Sequence, residues 1–228
     1  MPSFYHFIIG LSLLLILVLR SRNKSAYRKQ INIITFTLVV VLIMELAGLY
    51  TARKGINNTL IYNLGWIYLE SYLLIAYFYS LERNLIWRKR VVKISVLLLI
   101  WGVINSLFFE PLFGAIQFFS LLPFGLFLMI LSIRLLYQLL NLEIYSQRSL
   151  LVIPHFWIAC TILFFYLEAL VLFGTYNFFP SVIMENVIIV SMLNKMMAGL
   201  MYFIFGFAFI FPDLPNLLNP KKNSHTFS

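Results

Sequence analysis

Long apolar segments alternate with short polar ones from the first residues of the chain to residue 211. A helix that crosses the ~30 Å hydrocarbon core of a bilayer needs about 20 apolar residues, at a rise of ~1.5 Å per residue. Seven segments approach or exceed that length: 4–19, 31–50, 59–81, 91–109, 116–140, 150–174 and 182–211. The pattern predicts an all-α fold, with a transmembrane bundle of seven helices over 1–211 and a tail at 212–228.

The composition agrees with this interpretation, because 62% of the 228 residues are hydrophobic and only 11% are charged. Such a chain is too apolar for a soluble domain. The predicted loops are about six to twelve residues long, which leaves no room for a soluble domain between helices. We therefore expect any functional site to lie within the membrane or at its surface.

The net charge of +9 could indicate a nucleic-acid partner, but the positions of the basic residues argue against one. Of the 17 lysines and arginines, all but Arg53, Lys54 and Lys195 fall on one side of the predicted bundle. These are Arg20, Arg22, Lys24, Arg28, Lys29, Arg83, Arg88, Lys89, Arg90, Lys93, Arg134, Arg148, Lys221 and Lys222. The positive-inside rule then places the N-terminus outside and the C-terminus in the cytoplasm. The predicted partner is the lipid bilayer of the plasma (inner) membrane.

The last apolar segment carries a lysine near its middle, where an unpaired ammonium costs at least a few kcal/mol. Four residues of this segment recur every seven positions. Two more each lie three positions after one of those four, so all six share one helix face. The six are Glu185, Met192, Lys195, Gly199, Tyr202 and Gly206. We expect this face, and Lys195 with it, to point into the bundle.

The third segment has a similar polar face, formed by Asn63, Glu70 and Tyr77 at intervals of seven together with Trp66. By helix rise, Glu70 lies about 16 Å and Lys195 about 20 Å from the outer ends of their segments. Both depths are close to the midplane, so the sequence predicts a paired or water-bridged Glu70 and Lys195. In the alternative, Lys195 pairs with Glu168 or sits neutral beside water, and Glu70 is protonated.

Two further acids lie in the outer halves of outward-running segments, Glu45 in the second and Glu168 in the sixth. Their similar depth suggests that segments one to three and five to seven form a parallel repeat around the fourth, a 3+1+3 plan. Together these residues predict an outward-facing acidic pocket that binds a ligand: Glu45, Asn63, Trp66, Glu70, Glu168, Glu185, Lys195 and Tyr202.

The stretches Asn58-Thr59-Leu60-Ile61-Tyr62, continuing through Glu70 to Tyr77-Phe78-Tyr79, and Pro154-His155-Phe156-Trp157-Ile158 resemble a family of uncharacterised seven-helix membrane proteins of Bacteroidetes. The resemblance covers most of the chain. It implies an inner-membrane protein with seven helices that acts as a sensor or signalling module, and it implies no catalytic residues.

Two other seven-helix architectures are similar in topology. Microbial rhodopsins link retinal to a lysine of the seventh helix, which Lys195 resembles, with Glu70 in the place of the counter-ion. The residue one turn before this lysine, acidic in rhodopsins, is Ser191 here. Sugar transporters with a three-plus-one-plus-three plan have proline signatures in their first three helices, and the first three segments here contain no proline. A retinal-binding protein is therefore a remote alternative.

The sequence has no motif typical of an enzyme, since neither HExxH nor GxSxG occurs and the three histidines are far apart. We predict no enzymatic activity, no cofactor and no metal site. The sequence favours a sensor or interaction module, and a small-solute or proton-coupled transporter is the alternative.

Overall fold

The computed structural model describes residues 4–22, 27–141 and 150–213. These residues form helices and no strand, which confirms the predicted all-α class. In chain order the helices are α1 (Phe4–Arg22), α2 (Arg28–Arg53), α3 (Thr59–Tyr62), a π-helical segment (Asn63–Glu70), α4 (Ser71–Leu81), α5 (Leu85–Phe108), α6 (Phe118–Asn141), α7 (Pro154–Phe178), α8 (Pro180–Glu185) and α9 (Val187–Phe207). Short 3₁₀ turns cover Leu150–Val152 and Ala208–Asp213.

Six of these helices are long and apolar enough to cross a membrane, namely α1, α2, α5, α6, α7 and α9. The structure therefore has the character of a multi-pass membrane protein. We call the end of the bundle where α2 ends and α3 begins the upper end. By the predicted topology this end is the outer one.

The region 59–81, here called the central segment, is helical throughout but changes from α to π and back to α. It packs against α2, α5 and α6. Asn63, Glu70 and Tyr77, the residues of the predicted polar face, are all fully buried within it. Buried polar groups of this kind need hydrogen-bond partners in the interior, and the opposite face of the segment is apolar and exposed at Leu64 and Leu69.

The first and last helices, α1 and α9, run parallel and in close contact. Gly206 lies against Ser12 and Gly199 lies near Tyr5, so a step of seven residues on one helix matches a step of seven on the other. A methyl group added to Gly206 would lie 2.5 Å from Cα of Ser12 and 2.6 Å from its carbonyl oxygen. Small residues let helix backbones approach in this way.

The segment predicted as one helix over 182–211 is instead divided at Asn186, which leaves helical geometry with φ −120° and ψ 22°. Its side-chain amide donates a hydrogen bond to the carbonyl oxygen of Val182 at 3.0 Å. An asparagine that bonds to nearby backbone competes with the regular helix ladder. The division separates Glu185, at the end of α8, from the α9 residues with which it was predicted to share a face.

The turn between α4 and α5 is tied to α6 at the lower end. Nε of Arg134 donates to Oε2 of Glu82 at 2.6 Å, and the guanidinium lies 4.0 Å from the ring centre of Trp87. Burial would raise the pKa of the Glu82 carboxyl, but the hydrogen bonds from Arg134 and from the backbone of Asn84 outweigh it and lower that pKa below its ordinary value.

The 3+1+3 repeat is not confirmed, because the two acids on which it rests have different surroundings. Glu45 accepts two hydrogen bonds, whereas both carboxylate oxygens of Glu168 are buried without a partner. Of the predicted tail, residues 214–228 lie outside the described part of the chain, as do Lys24 and Arg148.

Candidate ligand-binding cavity

A cavity of about 230 Å³ lies in the upper half of the bundle, between α1, α2, the central segment, α7 and α9. Residues from each of these five elements line it, and a residue of the loop before α6 completes the wall. The polar part of the lining consists of Tyr5, Glu45, Tyr62, Trp66, Asn194, Lys195 and Tyr202. Four of these seven residues belong to the predicted pocket: Glu45, Trp66, Lys195 and Tyr202.

Glu45 is the acid of this cavity, and it is half-buried. Tyr5 Oη donates to one carboxylate oxygen at 3.0 Å, and Tyr62 Oη donates to the other at 3.2 Å. Gly48, one turn further along α2, makes room for Tyr62, because a methyl group there would lie 2.6 Å from the tyrosine oxygen. The two tyrosines orient the carboxylate from opposite sides, and neither was predicted from the sequence.

Directly below the cavity, Tyr202 joins α9 to the central segment. Its hydroxyl donates to Glu70 and lies 3.0 Å from each carboxylate oxygen. On the other side of the central segment, the hydroxyls of Ser71 and Tyr166 are 3.2 Å apart. Glu70, Ser71, Tyr166 and Tyr202 are all at most 2% exposed, so this cluster forms the closed floor of the cavity.

An apolar layer follows below the floor. Leu74, Ile162 and Phe205 are fully buried, and each lies three or four residues from a floor residue on its own helix. Below that layer, Tyr77 and Nδ1 of His155 form a buried hydrogen bond at 2.7 Å. His155 also lines an inner pocket of about 500 Å³ at the lower end. Polar groups thus occur above and below the layer, and apolar side chains separate them.

Two polar atoms of residues that line the cavity are buried and have no hydrogen-bond partner. They are Nε1 of Trp66, which can only donate, and Oδ1 of Asn194, which can only accept. Such groups are rare in folded proteins and are costly unless something satisfies them. Both atoms are closed to the cavity in this structure, so a ligand with an acceptor and a donor would satisfy them only after the two side chains turn toward it.

Lys195 lies at the edge of the cavity, and its side chain is exposed rather than enclosed by the bundle. It also borders a lateral groove of about 870 Å³ that lies between α1 and α9. The Lys195 ammonium lies within electrostatic range of Glu45.

The structure does not contain the predicted ion pair of Glu70 and Lys195, and the water-bridged form of the pair stays a prediction. The Glu70 carboxylate bonds to Tyr202, and within the described ranges no ion pair links Lys195 to any acid. Because α9 starts at Val187, Lys195 is only about 12 Å from its upper end by helix rise. Tyr202, two turns deeper on the same face, takes the place that the sequence assigned to the lysine.

Three other predicted residues also lie away from the cavity. Glu168 is partly buried and does not line it, and Glu185 is exposed on α8. Asn63 is fully buried but faces the loop before α6. Its amide nitrogen donates to the carbonyl oxygens of Leu112 and Ala115, and its oxygen accepts from the amide of Gln117.

Asn63 belongs to a separate polar cluster that fixes the α5–α6 loop. Glu110 accepts from the backbone amides of Phe118 and Phe119 at the start of α6, at 3.1 and 2.9 Å. A carboxylate at this position satisfies free amides and favours the helix dipole. Gln117 accepts from Tyr68 at 2.6 Å. Most of its polar atoms bond to one another and to the backbone of the loop, which indicates a structural role.

Among the described residues, no group of three or more His, Cys, Asp or Glu side chains is placed to hold a metal ion. Comparisons with protein-family models, with curated proteins and with solved structures give no match for this chain. Membership of the Bacteroidetes family therefore stays a prediction. The function has to be argued from the cavity itself.

Proposed function

We propose that this protein is a plasma-membrane sensor that binds a small polar solute from the outer side, in the cavity beside Glu45. The proposal includes seven spans, with the central segment as the third, an external N-terminus and a cytoplasmic C-terminus. The distribution of basic residues supports this orientation. The proposed activity is binding coupled to helix packing, without chemical conversion of the ligand.

The observation that carries the proposal is the unsatisfied polar lining. The buried Trp66 N–H and Asn194 carbonyl oxygen have no protein partner, yet both belong to residues that line the same cavity as the oriented Glu45 carboxylate. An empty cavity is lined by apolar groups, whereas polar lining indicates that water or a solute occupies the space. Polar groups converging on an aromatic-walled cavity are typical of a ligand site.

The closed floor favours a sensor over a transporter. A transporter needs a polar path between its two sides, and the layer of Leu74, Ile162 and Phe205 interrupts one here. A ligand in the cavity would instead contact Tyr202, which holds α9 against the central segment through Glu70. A ligand that binds more tightly to one packing arrangement of α9 than to another would thereby shift the protein toward that arrangement.

The test is a solute screen by thermal shift on purified protein in nanodiscs, with wild type and Trp66→Phe compared. The substitution keeps an aromatic ring and removes the N–H donor. Ligands of the cavity should raise the Tm of wild type and raise that of the variant less. Leu107→Ala, an exposed site on α5, is the control and should respond as wild type does. If no solute distinguishes Trp66→Phe from wild type, the proposed site is wrong.

A proton-coupled or small-solute transporter is the second candidate. The Tyr77–His155 pair and the inner pocket favour it, because they place polar groups directly below the apolar layer. Opening of that layer would connect the two sides. Uptake of a bound solute into proteoliposomes would favour the transporter, whereas binding without uptake is expected of the sensor.

Retinal binding is not part of the proposal. A retinal-linking lysine needs an enclosed site, and Lys195 is exposed on the groove. Protein purified with added retinal should show no visible absorption band that depends on Lys195.

A further inference from the structure

We infer that the ligand of the cavity is a small zwitterion with an apolar side chain, whose ammonium binds Glu45 and whose carboxylate binds Lys195. This inference rests on the proposed function and assigns a chemical class to the solute. Four features of the cavity carry it: the two charges, the two unsatisfied atoms, the walls and the volume.

The first feature is that the lining offers one group of each charge. The Glu45 carboxylate has about four lone-pair positions and uses two for the tyrosine hydroxyls, so it can still accept from an ammonium. The Lys195 ammonium has three donors, and within the described ranges it forms no ion pair. A ligand with both charges would match both groups, whereas an amine or a carboxylic acid would leave one of them unmatched.

The second feature is that the two unsatisfied atoms, like the two charged groups, require one acceptor and one donor on the ligand. The Trp66 N–H can donate only to an acceptor such as a carboxylate oxygen, and the Asn194 carbonyl can accept only from a donor such as an ammonium. The ring of Trp66 also offers a face to which a cation is attracted. An ammonium and a carboxylate together would satisfy both atoms once the Trp66 ring and the Asn194 amide turn toward the ligand.

The third feature is the apolar remainder of the lining. Met44, Ile116, Phe165 and Phe173 complete the walls, and the ring centre of Phe173 lies 5.1 Å from that of Trp66. Burial of an apolar side chain against them would contribute about 25 cal/mol per Å² removed from water. Zwitterions without such a side chain would gain only the polar contacts.

The fourth feature is size. At about 230 Å³ the cavity lies below the range of roughly 300–1,000 Å³ usual for drug-sized ligands. It suits a molecule with a few non-hydrogen atoms beyond the charged groups, which is the size of an apolar amino acid.

The experiment compares three probes of one skeleton: leucine as the zwitterion, isoamylamine as the matched cation and isocaproate as the matched anion. Phenylalanine, phenethylamine and hydrocinnamate form a second series with a larger side chain. Binding to full-length protein in nanodiscs is measured by calorimetry. We expect the zwitterion of at least one series to bind at least about tenfold more tightly than its matched amine and acid, as paired charges add specificity.

Charge variants then assign the contacts. Lys195→Met should lower zwitterion affinity to that of the amine and leave amine binding unchanged. Glu45→Gln should lower the affinity for the zwitterion to the affinity for the acid. Glu185→Gln, an exposed acid outside the cavity, is the matched control and should leave the affinities of all probes unchanged. Because Lys195 is exposed, its variant is expected to fold even if Glu45→Gln does not.

The inference is overturned if an amine or acid binds as tightly as its zwitterion, or if Lys195→Met weakens the amine and the zwitterion equally. It is also overturned if none of the six probes binds while another solute binds in a Trp66-dependent manner, and in that case the proposed sensor stands. If no solute shows Trp66-dependent binding, both the inference and the proposed function are wrong.

Discussion

Tyr202 donates its hydroxyl hydrogen to Glu70, with its oxygen 3.0 Å from both carboxylate oxygens. The two residues come from α9 and the central segment and are separated by 132 positions in the chain. Both are almost completely buried. This contact closes the floor of the cavity, and it gives a buried acid in an apolar bundle its hydrogen-bond donor.

Removal of that donor should destabilise the bundle. Tyr202→Phe keeps the ring and leaves the Glu70 carboxyl without the hydroxyl. We expect a loss of about 1–2 kcal/mol in the free energy of unfolding, measured by titration with a denaturing detergent. Tyr137→Phe, at a 65% exposed position on α6, should change it by less than about 0.5 kcal/mol. Equal effects from the two substitutions would contradict the role of Tyr202.

The sequence predicted the helix faces that meet at this contact but not the residues that pair. Intervals of seven correctly selected Glu70 and Tyr202 as members of two polar faces. They did not reveal that α9 begins at Val187, so the depth of Lys195 was overestimated. Relative helix height depends on loop and packing geometry, which hydrophobic patterns do not record.

The acidic residues also show that periodic patterns do not identify the partners of a side chain. Glu45 and Glu168 are alike in sequence depth, yet only Glu45 faces tyrosines that orient it. Glu110 and Gln117, in a short loop, gave no periodic signal because their role is to cap α6 and to bond to its neighbours. Periodicity identifies a face, whereas partners across the bundle follow from the tertiary arrangement.

The contact of α1 with α9 should not tolerate a side chain at Gly206. Gly206→Ala would place a methyl group 2.5 Å from the Ser12 backbone, so the two helices would have to separate. We expect a loss of about 1–3 kcal/mol in unfolding free energy, typical of overpacking. Gly10→Ala is the matched control, since a methyl group there meets nothing within 4 Å. That variant should be neutral or slightly more stable, because alanine favours the helix.

The Glu82–Arg134 pair should make stability depend on acid pH. The folded-state pKa of Glu82 is lowered from an ordinary value of 4.5, so its contribution is present above that pH and is lost as pH falls through the lowered pKa. Because solvent screens this pair, we expect Glu82→Gln to cost only about 0.5–1 kcal/mol at neutral pH. The difference in Tm from wild type should shrink under acid conditions.

Two outcomes would contradict this account of Glu82. One is a Tm difference that stays constant as the pH falls below 4.5. The other is additive destabilisation by Glu82→Gln and Arg134→Gln, since residues that interact should show a coupling energy in the double variant.

The predicted orientation can be tested with reporter fusions. A reporter fused after Ser228 should give the signal of a cytoplasmic location, and one inserted at Asn57 should give the signal of an external location. The reason is that the basic loops stay inside. A C-terminal fusion that reports from the outside would refute the count of seven spans. It would show that the central segment does not cross the membrane in the predicted direction.

The central claim is that the cavity opens to the outside and is closed below, and thiol labelling at Ala198 tests it most directly. Ala198 lines the cavity and is 6% exposed. The native Cys160 is first replaced by Ser, and Ala198→Cys is introduced into that background. Ala159→Cys, at a fully buried position of α7 that does not line the cavity, serves as the control.

A membrane-impermeant thiol reagent is applied to intact cells and to inverted membrane vesicles. We expect Ala198→Cys to be labelled in intact cells and not in inverted vesicles, and Ala159→Cys to be labelled in neither. Labelling of Ala198→Cys from the cytoplasmic side, or no labelling beyond that of Ala159→Cys in intact cells, would contradict an outward-open cavity with a closed floor.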